Sequence, residues 1–277
     1  MTLPLSPAGR RYGYLKDTPS HRDLGVWSWL KHIFENEKPV VATGSAVSNE
    51  QFMGPVLDQG QQGSCTAHAG CGDREFLHWK QVAALGEEVK PGREGMFSPA
   101  FLYYYERFLD GSLDQGDCGS FGRTSCTALN KYGCALRSEM PYSDSDFSTA
   151  PTPTQTSDAI KWPSGSYHRL TTVDDMKSVI STGWNFRIGF NVYGSFEEIQ
   201  SDGIWTPDKS ETILGGHEVL AFGYDDNVNG GSFLVRNSWG AGWGKSGNFY
   251  LRYQDAADPD ILQDAWIQHL GVWKPKS

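Results

Sequence analysis

Cys65, His217 and Asn237 are the side chains of this sequence whose types and order support nucleophilic chemistry. They stand in three segments, GPVLDQGQQGSCTAHAG, GGHEVLAFGYDD and VRNSWGAGWGKSGNFYL. A thiol becomes a strong nucleophile once its thiolate is stabilised, and a helix N-terminus with an imidazolium lowers a cysteine pKa from ~8.5 to ~3.5–7.5. The imidazole in turn needs a third group to fix its ring and tautomer, and a side-chain amide does this without the full charge of a carboxylate.

The elements around these residues place them suitably. From Cys65 to about Ala84 the apolar residues Ala67, Cys71, Phe76, Leu77 and Val82 follow helical spacing, with Gly86 just beyond, so Cys65 opens a helix. Ser98 before Pro99 caps a second helix that carries Phe101–Tyr105 and closes near Gly111, and Thr124–Tyr132 is a third, ended by Gly133. Ser143–Thr156, rich in Ser, Thr, Asp and Pro, reads as a connector. Beyond it the pattern is mainly β: a helix at Val173–Ser181, a strand at Phe186–Val192, a short helical stretch near Phe196–Ile199, then strands at Glu218–Tyr224, Ser232–Val235 and Asn248–Tyr253. A turn at Asn229–Gly230 sets His217 and Asn237 side by side on adjacent strands of a small antiparallel barrel or twisted sheet.

The chain has 277 residues, 24 basic and 33 acidic, for a net charge of −9, which is no footprint for nucleic acid. Hydrophobic residues make up 38%, with ten tryptophans, enough for a packed core. No run approaches the ~18 apolar residues of a membrane helix. The start, MTLPLSPAGRRYGY, lacks the apolar run of a secretory signal, so the default expectation is a cytoplasmic monomer, with leaderless or specialised secretion left open. Five cysteines at irregular spacing fit neither a disulfide scaffold nor zinc pairs, and no metal or cofactor is expected.

From about residue 50 to 270 the three segments, in this order, resemble the papain-like cysteine peptidases, and the text around them is most similar to the compact bacterial branch. The resemblance implies a two-lobed α+β fold with an active-site cleft between a helical lobe (about 50–145) and a β-barrel-like lobe (about 150–270). It implies hydrolysis of peptide bonds through a thioester, with Cys65 as nucleophile, His217 as proton donor and acceptor, Asn237 as its orienter, and Gln59 with the Cys65 amide as oxyanion donors. Trp239 would shield the Asn237–His217 bond. Gly119, Ser120 and Gly216 would bind substrate backbone, and Glu218 would line a pocket that favours basic side chains.

The departures from the family pattern matter too. Thr66 stands where a bulky Trp usually follows the nucleophile, and Gln62 and Asp117 stand where a family disulfide would be. Residues 1–40 form a leader with one short helix around Trp27, Trp29, Leu30 and Phe34, too short for the long helical leader of plant and lysosomal members. It is expected to occlude the cleft as an inhibitory propeptide of a zymogen, with Trp27 and Trp29 as anchors; the peptidase domain follows at 41–270 and a tail at 271–277. Two other readings use the same residues: a transpeptidase or acyltransferase whose thioester is intercepted by an amine, and a catalytically silent peptide-binding module.

Overall fold

From residue 2 the chain passes through a turn at Pro7–Gly9 into a two-residue strand, β1 (Tyr14–Leu15), then helix α1 (Val26–Asn36) and strand β2 (Ala46–Ser48). The helical lobe follows: α2 (Cys65–Ala84), α3 (Pro99–Leu109), β3 (Ser120–Phe121) and α4 (Gly122–Tyr132). The computed structural model describes residues 2–36, 43–92 and 95–270, so the tail at 271–277 and the end of the leader at 37–40 lie outside the described residues. Helix α3 is capped as its sequence dictates, Ser98 Oγ accepting the Phe101 N–H with Pro99 in the first turn. Helix α4 begins two residues before the expected Thr124. Leader residue Asp17 reaches its first turn, where Oδ2 accepts the Arg123 N–H at 2.8 Å.

The second lobe contains α5 (Pro153–Ala159), β4 (Ser164–Leu170), α6 (Val173–Ser181), β5 (Phe186–Val192), α7 (Gly194–Glu197), β6 (Gly215–Asp225), β7 (Ser232–Arg236), β8 (Asn248–Arg252), α8 (Tyr253–Ala256) and β9 (Leu262–Leu270). Its sheet has the order β4-β9-β5-β6-β7-β8, with β2 on β6 and antiparallel neighbours throughout. The sheet is open rather than barrel-like. At its β4 edge the leader intervenes: Gly25 bridges Arg169, whose N–H donates to Leu24 O at 2.8 Å. Helix α5 starts inside the expected connector, where Thr152 and Gln155 form a capping box.

Two hydrophobic cores meet at α2. Its Ala67 and Cys71 pack with Phe101, Leu102 and Leu129 in the helical lobe, whereas Phe76 and Leu77 belong to the core of the sheet. The helix is therefore covered on both faces, which fixes where Cys65 emerges. Trp29 of α1 anchors the leader to the sheet core, fully buried and edge-on to Trp184 at 6.0 Å. Trp27 is 78% exposed and anchors nothing, which corrects half of the expected pair.

Between the lobes lies a polar seam. Arg187 of β5, fully buried, faces Asp73 of α2 at 3.8 Å and Glu218 of β6 at 3.6 Å. It also donates to Ser125 Oγ at 2.8 Å and Gln268 Oε1 at 3.2 Å, and contacts Cys126 Sγ. One guanidinium does not offset the burial of so many acids. Burial pushes Asp73 up to about 7 and Glu106 up to about 8, and drives Glu218 well above the carboxylate range, with Arg187 opposing in each case.

These acids bind protons in the folded chain that they release on unfolding, so stability declines as pH rises through their folded pKa values. Buried His68 and His217 and half-buried His78, each lowered to about 4, act in the opposite sense only below the ordinary histidine range near ~6.5. Denaturant unfolding should therefore give a stability lower at pH 8.5 than at pH 6.5 by on the order of 2 kcal/mol. An equal or higher stability at pH 8.5 would mean that the seam is fully ionised in the folded protein.

Candidate active site

Strands β6 and β7 pair Leu220 with Arg236, and extending that register sets Asn237 opposite Val219, two residues from His217 on the same face. The diagonal contact forms as the sequence predicts: His217 Nε2 and Asn237 Oδ1 are 2.7 Å apart. Asn237 Oδ1 also accepts the Ser238 N–H at 2.8 Å, so it is the acceptor and Nε2 carries the proton. The other ring nitrogen, Nδ1, is buried without a hydrogen-bond partner. Trp239 lies 5.2 Å from the imidazole, inclined by 34°, and covers the pair.

Cys65 is the first residue of α2 and fully buried. The backbone amides of Glu218, which follows His217, and of Gly13 act to hold its pKa down, but burial outweighs them and pushes the thiol up to about 12. Burial likewise lowers His217 to about 4, against the raising effect of its Asn237 bond. Thiol and imidazole are thus both neutral in this arrangement, in contrast to the expected ion pair. The cause is that neither has access to water.

Gln59 is held from three sides. Its N–H donates to Ser238 O at 2.9 Å, its Oε1 accepts from Ser238 Oγ at 2.7 Å, and its carbonyl accepts from Tyr142 Oη at 2.8 Å. These contacts aim Nε2 at the carbonyl of Gln62 (2.9 Å) and at the carbonyl of Arg11 in the leader (3.3 Å). Ser238 and Tyr142 were not identified from the sequence as supports. Ser238 was at least readable, because it follows Asn237 in the same motif.

What fills the cleft is the leader, by way of Arg10–Leu15 rather than the tryptophans. Strand β1 pairs in parallel with β3, Tyr14 with Ser120 and Leu15 with Phe121, and Gly13 bridges Gly216. Ser120 donates its N–H to Gly13 O at 2.8 Å. A Cβ on Gly119, where φ is +78°, would lie 2.0 Å from that same oxygen, so the close approach requires glycine. Gly119, Ser120 and Gly216, predicted to grip substrate backbone, here grip the leader. Tyr12 packs edge-on against His217 at 5.9 Å and donates to Glu197 Oε1 at 2.5 Å. Arg10 pairs with Asp58 at 2.7 Å and lies 5.4 Å above Trp239.

Tyr14 plugs a side pocket. Its ring lies against Gly189, where a Cβ would come within 2.2 Å, and its phenol feels the carboxyls of Asp264 and Glu218. Gly189 and Asp264 carried no motif and were missed. Glu218 does not present a free charge to a basic side chain, as the sequence suggested. Its carboxyl faces Arg187 and is almost fully buried, and burial drives its pKa well above the usual carboxylate range against the pull of that guanidinium.

The model of the papain family of cysteine proteases matches residues 44–268. A peptidase C1-like protein of Acanthamoeba polyphaga mimivirus is 32% identical, over 96% of this chain and 88% of its own. Cysteine proteinase 3 of Entamoeba histolytica is 26% identical over 82% and 69%. Among solved structures, xylellain, a cysteine protease from Xylella fastidiosa, superposes with a TM-score of 0.77 at 27% identity, covering 94% of this chain and 96% of its own.

The neutral state of Cys65 has a measurable consequence. In the full chain, alkylation of Cys65 by iodoacetamide should be slow at pH 7.5 and rise steadily with pH toward the thiol pKa of about 12. Tyr12→Ala or Tyr14→Ala, by loosening the leader and admitting water, should bring alkylation to a plateau by about pH 7.5, as for an ordinary activated cysteine. Fast, pH-independent alkylation of the unaltered chain near neutrality would show that the leader does not cover the thiol.

Proposed function

The chain belongs to the papain family of cysteine proteases and is a cysteine peptidase, a hydrolase, and from that premise we propose how its residues divide the work. With the leader displaced, water enters the cleft and the Cys65 proton passes to His217 Nδ1, giving a thiolate at the N-terminus of α2 beside an imidazolium. The thiolate attacks the substrate carbonyl carbon. The oxygen that becomes negative is held by Gln59 Nε2 and the Cys65 N–H. His217 returns its proton to the leaving amine as the C–N bond breaks, leaving a thioester on Cys65. Water then attacks the thioester with His217 as base, releasing the acid and the free thiol. Asn237 keeps the imidazole ring in register through both halves.

The observation that carries this reading is the 2.7 Å His217–Asn237 bond, which commits Nε2 and leaves Nδ1 as the ring nitrogen open to exchange a proton. A second supports it: a peptide carbonyl, that of Arg11, already lies 3.3 Å from Gln59 Nε2.

The leader acts as an internal inhibitor in this reading. It occupies the backbone-binding edge at Gly119–Ser120 and Gly216, and its Tyr14 fills a pocket beside the nucleophile. That pocket, emptied, favours a large aromatic side chain with a polar tip, which would face Asp264 as the Tyr14 phenol does.

A peptide library incubated with the full chain, with its Tyr14→Ala variant and with Cys65→Ala tests these points together. Tyr14→Ala should raise kcat/KM by up to about 100-fold, the worth of one buried aromatic ring. Cys65→Ala should abolish cleavage, and Asn237→Ala should lower kcat by about 10- to 100-fold with little change in KM. Cleavage surviving in Cys65→Ala would remove the mechanism. Product masses equal to an acyl fragment plus an added amine would make the enzyme an acyltransferase, and no labelling of opened Cys65 by a thiol-directed peptide inhibitor would make it a silent binding module.

A further inference from the structure

Asp117 lies in the loop between α3 and β3, away from the thiol and the imidazole, and its side chain is 1% exposed. Its two oxygens serve different parts of the cleft. Oδ2 accepts the Gly63 N–H at 2.8 Å, and Oδ1 accepts the Tyr103 hydroxyl proton at 2.6 Å. The Tyr103 oxygen in turn accepts the Gly119 N–H at 3.0 Å.

Gly63 sits at a strategic point in the chain. Before it comes Gln62, whose carbonyl accepts from Gln59 Nε2 at 2.9 Å, and after it come Ser64 and Cys65. One hydrogen bond from Asp117 thus fixes the peptide joining the two proposed oxyanion donors. The other, relayed by Tyr103, fixes the backbone of Gly119 at the edge that grips the leader. Removing the carboxylate would leave the Gly63 N–H and the Tyr103 hydroxyl buried without that partner, and the loop would shift to rehydrate or re-pair them.

We propose that Asp117 is a positioning residue for peptide hydrolysis: it sets the spacing of the oxyanion donors Gln59 and Cys65 N–H and ties that spacing to the Gly119–Ser120 edge. This rests on the assignment of Gln59 and the Cys65 amide as oxyanion donors. A group that acts only on the transition state changes kcat and leaves ground-state binding alone.

The test uses the full-length chain with Tyr14→Ala as the common background, comparing Asp117→Ala, Asp117→Asn and Gln59→Ala for hydrolysis of one peptide and for alkylation of Cys65 by iodoacetamide. Asp117→Ala should lower kcat by about 100-fold, the usual consequence of an oxyanion donor displaced by an ångström or so, with alkylation within about threefold and any rise in KM reporting the loosened Gly119 edge. Asp117→Asn, whose amide oxygen can still accept from Gly63 but whose nitrogen cannot accept the Tyr103 hydroxyl proton, should recover kcat in part, to between Asp117→Ala and the background. Alkylation is the discriminating readout, because it needs the thiolate but no oxyanion hole. A kcat within threefold in Asp117→Ala, or a fall shared equally by hydrolysis and alkylation, overturns the proposal. Should Asp117→Ala fail to fold, Tyr103→Phe decides: a loss of kcat with unchanged alkylation upholds the proposal and an unchanged kcat ends it. If Gln59→Ala also leaves kcat unchanged, the oxyanion assignment itself has failed; if Gln59→Ala is impaired and Asp117→Ala is not, only the role of Asp117 has.

Discussion

The burial of α2 on both of its faces is the constraint from which the rest of this structure follows. A helix that gives Ala67 and Cys71 to one core and Phe76 and Leu77 to another cannot shift or rotate without opening both. Its first residue, Cys65, is therefore fixed at the seam where the lobes meet. The sheet brings His217 and Asn237 to that seam by register, since a slip of one residue in the β6–β7 pairing would turn Asn237 to the face opposite His217. Chemistry between two lobes thus depends on packing within each of them. The polar seam around Arg187 belongs to the same constraint. Asp73 lies on α2 and Glu218 on β6, so the guanidinium spans the interface that orients the nucleophile.

The leader uses the cleft's backbone edges more than its side-chain pockets. Pairing with Ser120 on one lobe and with Gly216 on the other makes residues 13–15 a short strand shared by both lobes. Main-chain hydrogen bonds are indifferent to sequence, so specificity comes from close approach and from the rings. Gly13 comes so near Gly63 that a Cβ would lie 1.7 Å from the Gly63 oxygen. Tyr12 and Tyr14 then meet different groups, one His217 and Glu197 and the other Gly189. Farther along, Asp17 and Asp23 meet Arg123, and Asp23 also meets Arg169 at 3.1 Å, which fastens the segment where it leaves the cleft.

Much of this was legible in the residues. The family, the two-lobed fold, the helix that opens at Cys65 and the His217–Asn237 pairing follow from local motifs whose order and spacing carry the geometry. Strands β4 and β9 were not foreseen, because SGSYHRL and LQDAWIQHL do not alternate apolar with polar residues. In β9, Asp264 and Gln268 are buried and serve other groups. Arg187 was hidden for the same reason: a charged residue in a strand reads as solvent-facing, and only the fold reveals that acids from two other elements surround it. Asp117 and Tyr142 act across separations of 54 and 83 residues, beyond the reach of any periodicity. Occlusion by the leader was foreseen, but its agent was not. Tryptophans suggested anchoring by bulk, whereas the segment that enters the cleft is marked by one glycine and two tyrosines whose partners are far away in sequence.

The state of the thiol joins these strands of argument. A covering peptide is usually taken to inhibit by exclusion: substrate cannot enter where the leader lies. Here the cover has a second effect. It lies over a thiol and an imidazole that burial shifts in opposite directions, the thiol up to about 12 and the imidazole down to about 4. Even a small electrophile that slipped past the leader would meet a weak nucleophile. The two effects have one cause, so they are relieved together: whatever lifts Tyr12 and Gly13 from the cleft both opens the site and readmits the solvent that an ion pair needs. Activation then requires no rearrangement of the two lobes. The groups are already within the same seam, Asn237 already holds the ring, and Gln59 already faces a carbonyl. On the proposed reading the switch lies in the hydration of the site beneath the leader, while the framework around it remains as the two cores built it.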